Sequence, residues 1–347
     1  MLDFFCIFEA NLEYSFARCE KYSSKLDISH SLIRIFVPNR LIMAFPIENK
    51  LVVAVSSSAL FDLSESDKVY NECGLEEYRR YQEQNIDNPL GKGVAFPFVK
   101  RLLSLNELFS AEQPVEVVLL SRNSPETGLR VFRTIEHYGL DISRASFFSG
   151  ESPYKYLPAF NASLFLSASE RDVKRACDAG YAAGRVLDSE VLDDNTDHEL
   201  RIAFDFDGVI ADDESEKIFK EQGLKAFHRH EASTQRPLDP GPLADLLMKI
   251  SHLQKLETQR IAQDPEYRRW LKISIVTARN APAHERVVNT LKSWGVEVTE
   301  AFFLGGISKD RVLEIMRPHI FFDDQMSHLD HLRNVPAVHI PMGIANE

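Results

Sequence analysis

"RIAFDFDGVIADDES", Arg201–Ser215, is the stretch on which the fold turns. The apolar run Ile202-Ala203-Phe204 reads as a buried strand, and the polar cluster after it leads into a helical pattern at "ESEKIFKEQ". Asp205 and Asp207 stand two apart where the strand ends, so the period-two geometry of a strand sends both to one side. Gly208 lets the chain turn sharply behind them. Two carboxylates so placed can bind a divalent cation, and one of them can attack phosphorus. The spacing alone equally describes a polar turn with an aspartate capping the next helix. The same shape occurs earlier, in "VVAVSSSALFDLSES" (Val52–Ser66), with serines where the aspartates stand.

The correspondence extends well beyond those two stretches. At an offset of 149, "ESDKVYNECGLEEY" (Glu65–Tyr78) falls on "ESEKIFKEQGLKAF" (Glu214–Phe227). At an offset of 156, "RVFRTIEHYGLDI" (Arg130–Ile142) falls on "RVVNTLKSWGVEV" (Arg286–Val298), Ser121 falls on Thr277, and "LFLSA" (164–168) on "IFFDD" (320–324). Three collinear matches with preserved apolar patterning describe two homologous units, 44–187 and 200–347. The acidic, turn-rich segment 188–199 reads as a linker between them. In the second unit the strands "RIAFD", "KISIVT", "EAFFLG", "HIFFDD" and "PAVHIP" alternate with helical stretches such as Ala283–Trp294 and Lys309–Arg317. That alternation predicts an α/β fold with a parallel, doubly wound sheet whose ligand site lies at the carboxyl ends of the strands.

Bulk properties narrow the function. The 347 residues carry a net charge of −12, which argues against a sequence-independent nucleic-acid binder or an anionic-membrane binder. Cys6, Cys19, Cys73 and Cys177 form no CxxC pair and fit a reducing, cytoplasmic setting. No apolar run reaches the length of a membrane span, and the N-terminus lacks the basic region of a signal peptide. Residues 1–42 match nothing else in the chain. They read either as an extension upstream of a natural start at Met43 or as a loosely packed N-terminal arm.

Three more strand ends in the second unit carry chemistry. Thr277, in "SIVTARN", offers a hydroxyl to a phosphoryl oxygen, and the amides of Ala278 and Arg279 can add to the cradle. Lys309 follows "FFLGGIS" and can neutralise charge on a transferring phosphoryl group, although surface lysines are common. Asp323 and Asp324 end "HIFFDD"; paired acids at a buried strand end call for a compensating cation. D-x-D, Thr, Lys and D-D in this order resemble the four-part signature of the haloacid-dehalogenase-like (HAD) phosphohydrolase superfamily. The resemblance implies two tandem HAD-like units, the first degenerate and the second catalytic. It implies Asp205 as the nucleophile that forms an aspartyl-phosphate, Asp207 as general acid and base, and Thr277, Ala278, Arg279 and Lys309 as phosphate binders. It further implies a Mg²⁺ ion held by Asp205, Asp207 (through its backbone carbonyl), Asp324 and Asp323, with the share of the last two left open.

A narrower resemblance covers residues 50 to 343. "AVSSSALFDL", "GLEEYRRYQ", "AFPFVK", "DESEKIFKEQGL", "TARN" and "RPHIFFDDQMSHL" are similar to the cytosolic 5′-nucleotidases of type I. Membership implies Mg²⁺-dependent hydrolysis of nucleoside 5′-monophosphates, AMP among them, to nucleoside and phosphate. A phosphatase for another small phosphate ester and a non-catalytic nucleotide sensor are the alternatives. The insertion 212–271 reads as a small, mostly helical cap that selects the substrate, with His228, Arg229 and His230 as nucleotide contacts or solvated surface. The first unit has Ser56 and Ser58 for the first acid pair and Ser167-Ala168 for the second, while Lys155 corresponds to Lys309 after small gaps. It reads as an inert duplicate that stabilises the active unit, completes its pocket or binds a regulatory nucleotide. Two similar units also leave surface for a homo-oligomer.

Overall fold

A computed structural model describes residues 46–190, 193–234, 236–264 and 266–346, and Ile47–Glu347 forms one compact unit. The readings of residues 1–42 lie outside the described residues. Twelve strands are described: β1 (Leu51–Val55), β2 (Phe61–Asp62), β3 (Gly91–Lys92), β4 (Val115–Ser121), β5 (Arg144–Phe147), β6 (Leu164–Ser167), β7 (Ala183–Val186), β8 (Leu200–Phe204), β9 (Leu271–Thr277), β10 (Glu300–Phe303), β11 (Ile320–Asp323) and β12 (Ala337–His339). The longer helices are α1 (Ser64–Gln84), α2 (Phe96–Leu108), α3 (Gly128–His137), α4 (Glu170–Asp178), α5 (Glu214–Gln222), α6 (Leu224–Ser233), α7 (Ala244–Gln263), α8 (His284–Ser293) and α9 (Asp310–Met316). All five strands expected in the second unit are present, and the chain is α/β as the patterning predicts.

Ten strands form one sheet in the order β10-β9-β8-β11-β12-β7-β6-β1-β4-β5. Every neighbouring pair is parallel except the central one, where β12 and β7 run antiparallel with Val338 opposite Val186. Read outward from this seam, each half has the same strand order, so the sheet is a doubly wound arrangement written twice, head against head. The central strands need apolar runs because both faces are covered. Every residue of β1 is buried, as are all of β8 but Arg201. One core crosses the seam, joining Leu166 and Val186 to Leu200, Ile202, Val338 and Ile340. Within it Phe204 and Phe322 stack on adjacent strands with ring centroids 5.1 Å apart. Burying each such ring contributes about 1.5–3 kcal/mol.

Matching bonds recur at the ends of matching strands. The Ser56 amide donates to the Leu166 carbonyl at 2.8 Å, and the Asp205 amide to the Phe322 carbonyl at 2.8 Å. The Asn123 amide donates to the Ser121 hydroxyl at 3.2 Å, and the Arg279 amide to the Thr277 hydroxyl at 3.2 Å. The aligned glycines also agree: Gly74 has φ 82° and Gly223 φ 77°, the left-handed region that lets a helix break and restart. Lys155 departs from this correspondence, being exposed where Lys309 is buried.

The antiparallel seam points the carboxyl ends of the two halves to opposite edges of the sheet. Among the described residues the first half therefore adds nothing to the pocket of the second, one of the three roles open to it. Between the halves, Asp193 takes ion pairs from Arg101 at 2.7 Å, Lys92 at 3.1 Å and Lys100 at 3.2 Å, tying the segment after β7 to β3 and α2.

Candidate active site

At the carboxyl ends of β8, β9 and β11 lies a cavity of about 460 Å³. Asp205, Asp207, Thr277, Ala278 and Arg279 line it, together with Gly305, Gly306, Gln325 and His328. α5 and α6 supply Glu216, Phe219, Lys220, Leu224 and Phe227 to its rim. Among the described residues of 212–271 only these two helices reach the cavity, whereas α7 lies on the sheet with Leu246, Leu247 and Ile250 in the core.

Lys309 is buried beside Asp205, its ammonium 2.9 Å from an Asp205 oxygen and 2.6 Å from an Asp323 oxygen. Burial works against its charge, but the two carboxylates outweigh burial and hold the ammonium up at about 12. Burial pushes the Asp205 carboxyl above its usual range, with Lys309 pulling the other way. Asp323 has partners: besides Lys309 it accepts from the Gln325 amide at 2.9 Å and faces the His328 ring at 3.2 Å. Asp324 is the opposite case. It is fully buried, and among the described residues neither of its carboxylate oxygens has a hydrogen-bond partner. Burial first, then Asp205, Asp323 and Glu216, push its carboxyl up to about 9. A buried carboxyl without donors needs either a proton or a cation.

Asp207 is held differently. The Arg279 guanidinium grips it with two bonds, of 2.7 Å from Nε and 2.6 Å from the second terminal nitrogen. The remaining terminal nitrogen of Arg279 pairs with Glu231. Of the phosphate-binding candidates, Thr277, Ala278 and Arg279 line the cavity directly. Lys309 reaches it through Asp205, and Arg279 spends its side chain on two acids.

The 5′-nucleotidase family model matches residues 43–347. The chain belongs to the 5′-nucleotidase family. It is 36% identical over 298 residues to human cytosolic 5′-nucleotidase 1B, covering 84% of this chain and 48% of that protein. The chain therefore spans about half the length of this curated relative. No solved structure matches it.

Several residues of this 5′-nucleotidase family member escape a reading of motifs. Glu231 is buried on α6 and accepts from Ser215 at 2.9 Å and Arg286 at 2.8 Å as well as pairing with Arg279. Its one sequence signal is the 149-residue offset, which sets it opposite Gln82. His328 lies within 4.8 Å of oxygens of both Asp205 and Asp323, a grouping able to hold a metal ion. Of the "FHRHE" residues, His228 bonds the cavity residue Asn280 at 3.2 Å, Arg229 is exposed, and His230 faces Glu214. Among the described residues no helix is long and apolar enough to cross a membrane.

Proposed function

We propose that this protein is a cytoplasmic Mg²⁺-dependent 5′-nucleotidase that hydrolyses nucleoside 5′-monophosphates, AMP among them, to nucleoside and phosphate. The observation that carries this reading is a buried ammonium shared by Asp205 and Asp323, next to an Asp324 carboxyl with no donor, at the floor of a cavity sized for a small ligand. The donor set fits a hard divalent cation, because its free groups are carboxylate oxygens. Asp205 and Asp324 would hold Mg²⁺ with the backbone carbonyl of Asp207, while Asp323, which already accepts from Lys309 and the Gln325 amide, orients Lys309. The cation would neutralise charge on the bound phosphoryl group.

In this reading Asp205 attacks phosphorus and forms an aspartyl-phosphate as the P–O5′ bond breaks. The electron pair of that bond stays on O5′, which takes a proton from Asp207. Asp207 then removes a proton from the water that hydrolyses the acyl phosphate, restoring both acids. Thr277 and the Ala278 amide hold phosphoryl oxygens, and Lys309 offsets their charge. α5 and α6 form the cap, with Phe219 and Phe227 as an apolar wall for the base. The two-unit division at 44–187 and 200–347, with an inert first unit, accompanies this proposal.

Phosphate release from AMP, IMP, dCMP and glucose 6-phosphate, with and without Mg²⁺, tests it against Asp205→Asn. Metal-dependent turnover of the nucleotides that the variant lacks is expected. Turnover of glucose 6-phosphate alone would discard the substrate class, and nucleotide binding without turnover would discard the enzyme.

A further inference from the structure

Two copies of one framework, only one of which carries the acid pairs, form a comparison built into the chain. At the position shared by Gln82 and Glu231, both side chains are buried and both accept from the arginine of the following repeat helix. Arg130 donates to Gln82 at 3.2 Å, and Arg286 donates to Glu231 at 2.8 Å. Those arginines are further matched by their bonds to backbone: Arg130 to the Asn88 carbonyl and Arg286 to the Arg236 carbonyl, each at 2.9 Å. An amide is therefore enough to serve this structural contact. The active copy nevertheless has a carboxylate there, in a place where burying charge is costly.

What differs between the copies is the second partner. Arg279 stands where the first copy has Asn123, and it joins Glu231 to Asp207. The first copy has no acid at the position of Asp207 (Ser58), no arginine and no glutamate. Asp207, Arg279 and Glu231 are thus present together or absent together. A guanidinium is a rigid planar fork, so fixing one terminal nitrogen on Glu231 sets the direction in which Nε and the other nitrogen hold Asp207.

We propose that Glu231, on cap helix α6, is a positioning residue for proton transfer: through Arg279 it aims the Asp207 carboxyl at the leaving oxygen. This rests on the phosphatase reading in which Asp207 protonates O5′. It adds a dependence of that step on the cap, since Glu231 belongs to the element that also walls the cavity.

The test uses Glu231→Gln, which installs the residue of the inert copy. With enzyme in excess over substrate, release of the leaving group reports the first step alone. Two substrates are compared with the full chain and Mg²⁺: AMP, whose alkoxide must be protonated, and p-nitrophenyl phosphate, whose phenolate leaves without help. We expect the single-turnover rate for AMP to fall about 30-fold, a partial loss of the roughly 100- to 10,000-fold that an aligned proton transfer contributes. The rate for p-nitrophenyl phosphate should fall less than about threefold, with KM for AMP within about threefold. Equal losses on both substrates would make Glu231 merely structural and overturn the proposal, as would no loss on either. If Glu231→Gln does not fold, Arg279→Lys, which keeps the charge but cannot grip both acids, must show the same selectivity or the proposal fails. A wild type that turns over p-nitrophenyl phosphate but no nucleotide would sink the nucleotidase reading as well, and that outcome is distinct from the others.

Discussion

Replacing Asp324 with Asn removes a carboxylate that, among the described residues, is fully buried with no donor to either oxygen, so stability and metal response should move in opposite directions. Burial and the neighbouring acids push this carboxyl up to about 9 from 3.8. A carboxyl whose folded pKa is raised destabilises the fold once pH exceeds the unfolded value, and the penalty grows until it levels off near 9. At about pH 7.5 the distance from 3.8, at about 1.36 kcal/mol per unit, sets an upper figure of about 5 kcal/mol. The Asn amide finds no partner there either, which returns about 1–3 kcal/mol. The metal-free variant should therefore be more stable than wild type by about 2 kcal/mol, or about 3 °C for a unit of this size. Differential scanning calorimetry in EDTA measures this at about pH 7.5 and again near pH 4.5, where the advantage should vanish because the wild-type penalty is nearly gone. Adding MgCl₂ at the higher pH should raise the melting temperature of wild type and leave the variant unmoved. A variant less stable than wild type in EDTA at the higher pH would mean the Asp324 oxygens do have partners. A variant that gains as much from Mg²⁺ as wild type would remove Asp324 from the metal site.

Two further substitutions probe the frame and the cap. Glu257 is fully buried on α7 and accepts from the Trp270 amide at 2.8 Å, the Leu271 amide at 3.0 Å and the Tyr267 hydroxyl at 2.7 Å. Glu257→Ala strands those donors at the start of β9, so denaturant unfolding should show a loss of about 3–5 kcal/mol; a loss under about 1 kcal/mol would contradict the assigned bonds. Phe219 is 47% exposed at the cavity rim, with its ring centroid 6.2 Å from that of Phe227. Phe219→Ala should raise KM for AMP about 5- to 30-fold with kcat little changed, the weaker part of what base stacking contributes. An equal rise for a phosphate ester without a base would show that the ring does not meet the base.

The strand ends explain what could be read in advance and what could not. β8, β9 and β11 are legible because strands covered on both faces are written as unbroken apolar runs, and the acids, Thr277 and Lys309 stand where those runs or their helices begin or end. The seam left no such mark: nothing in the three residues Ala337–His339 or the four of β7 announces that they pair antiparallel, because pairing partners are chosen in three dimensions. Glu231 was hidden for a related reason, since its partners Arg279 and Arg286 lie on other elements 48 and 55 residues away. The first half also shows which part of each motif the fold itself requires. Ser167 accepts the Ser169 amide at 3.1 Å just as Asp323 accepts the Gln325 amide at 2.9 Å, and Ser121 repeats the bond of Thr277. An oxygen acceptor at these strand ends satisfies a backbone donor whichever side chain supplies it, so a hydroxyl suffices for the turn. The carboxylate is the part the turn does not need. Its charge costs stability in a buried position, and in this chain it persists only in the half where Lys309, Arg279 and an unsatisfied Asp324 gather around it.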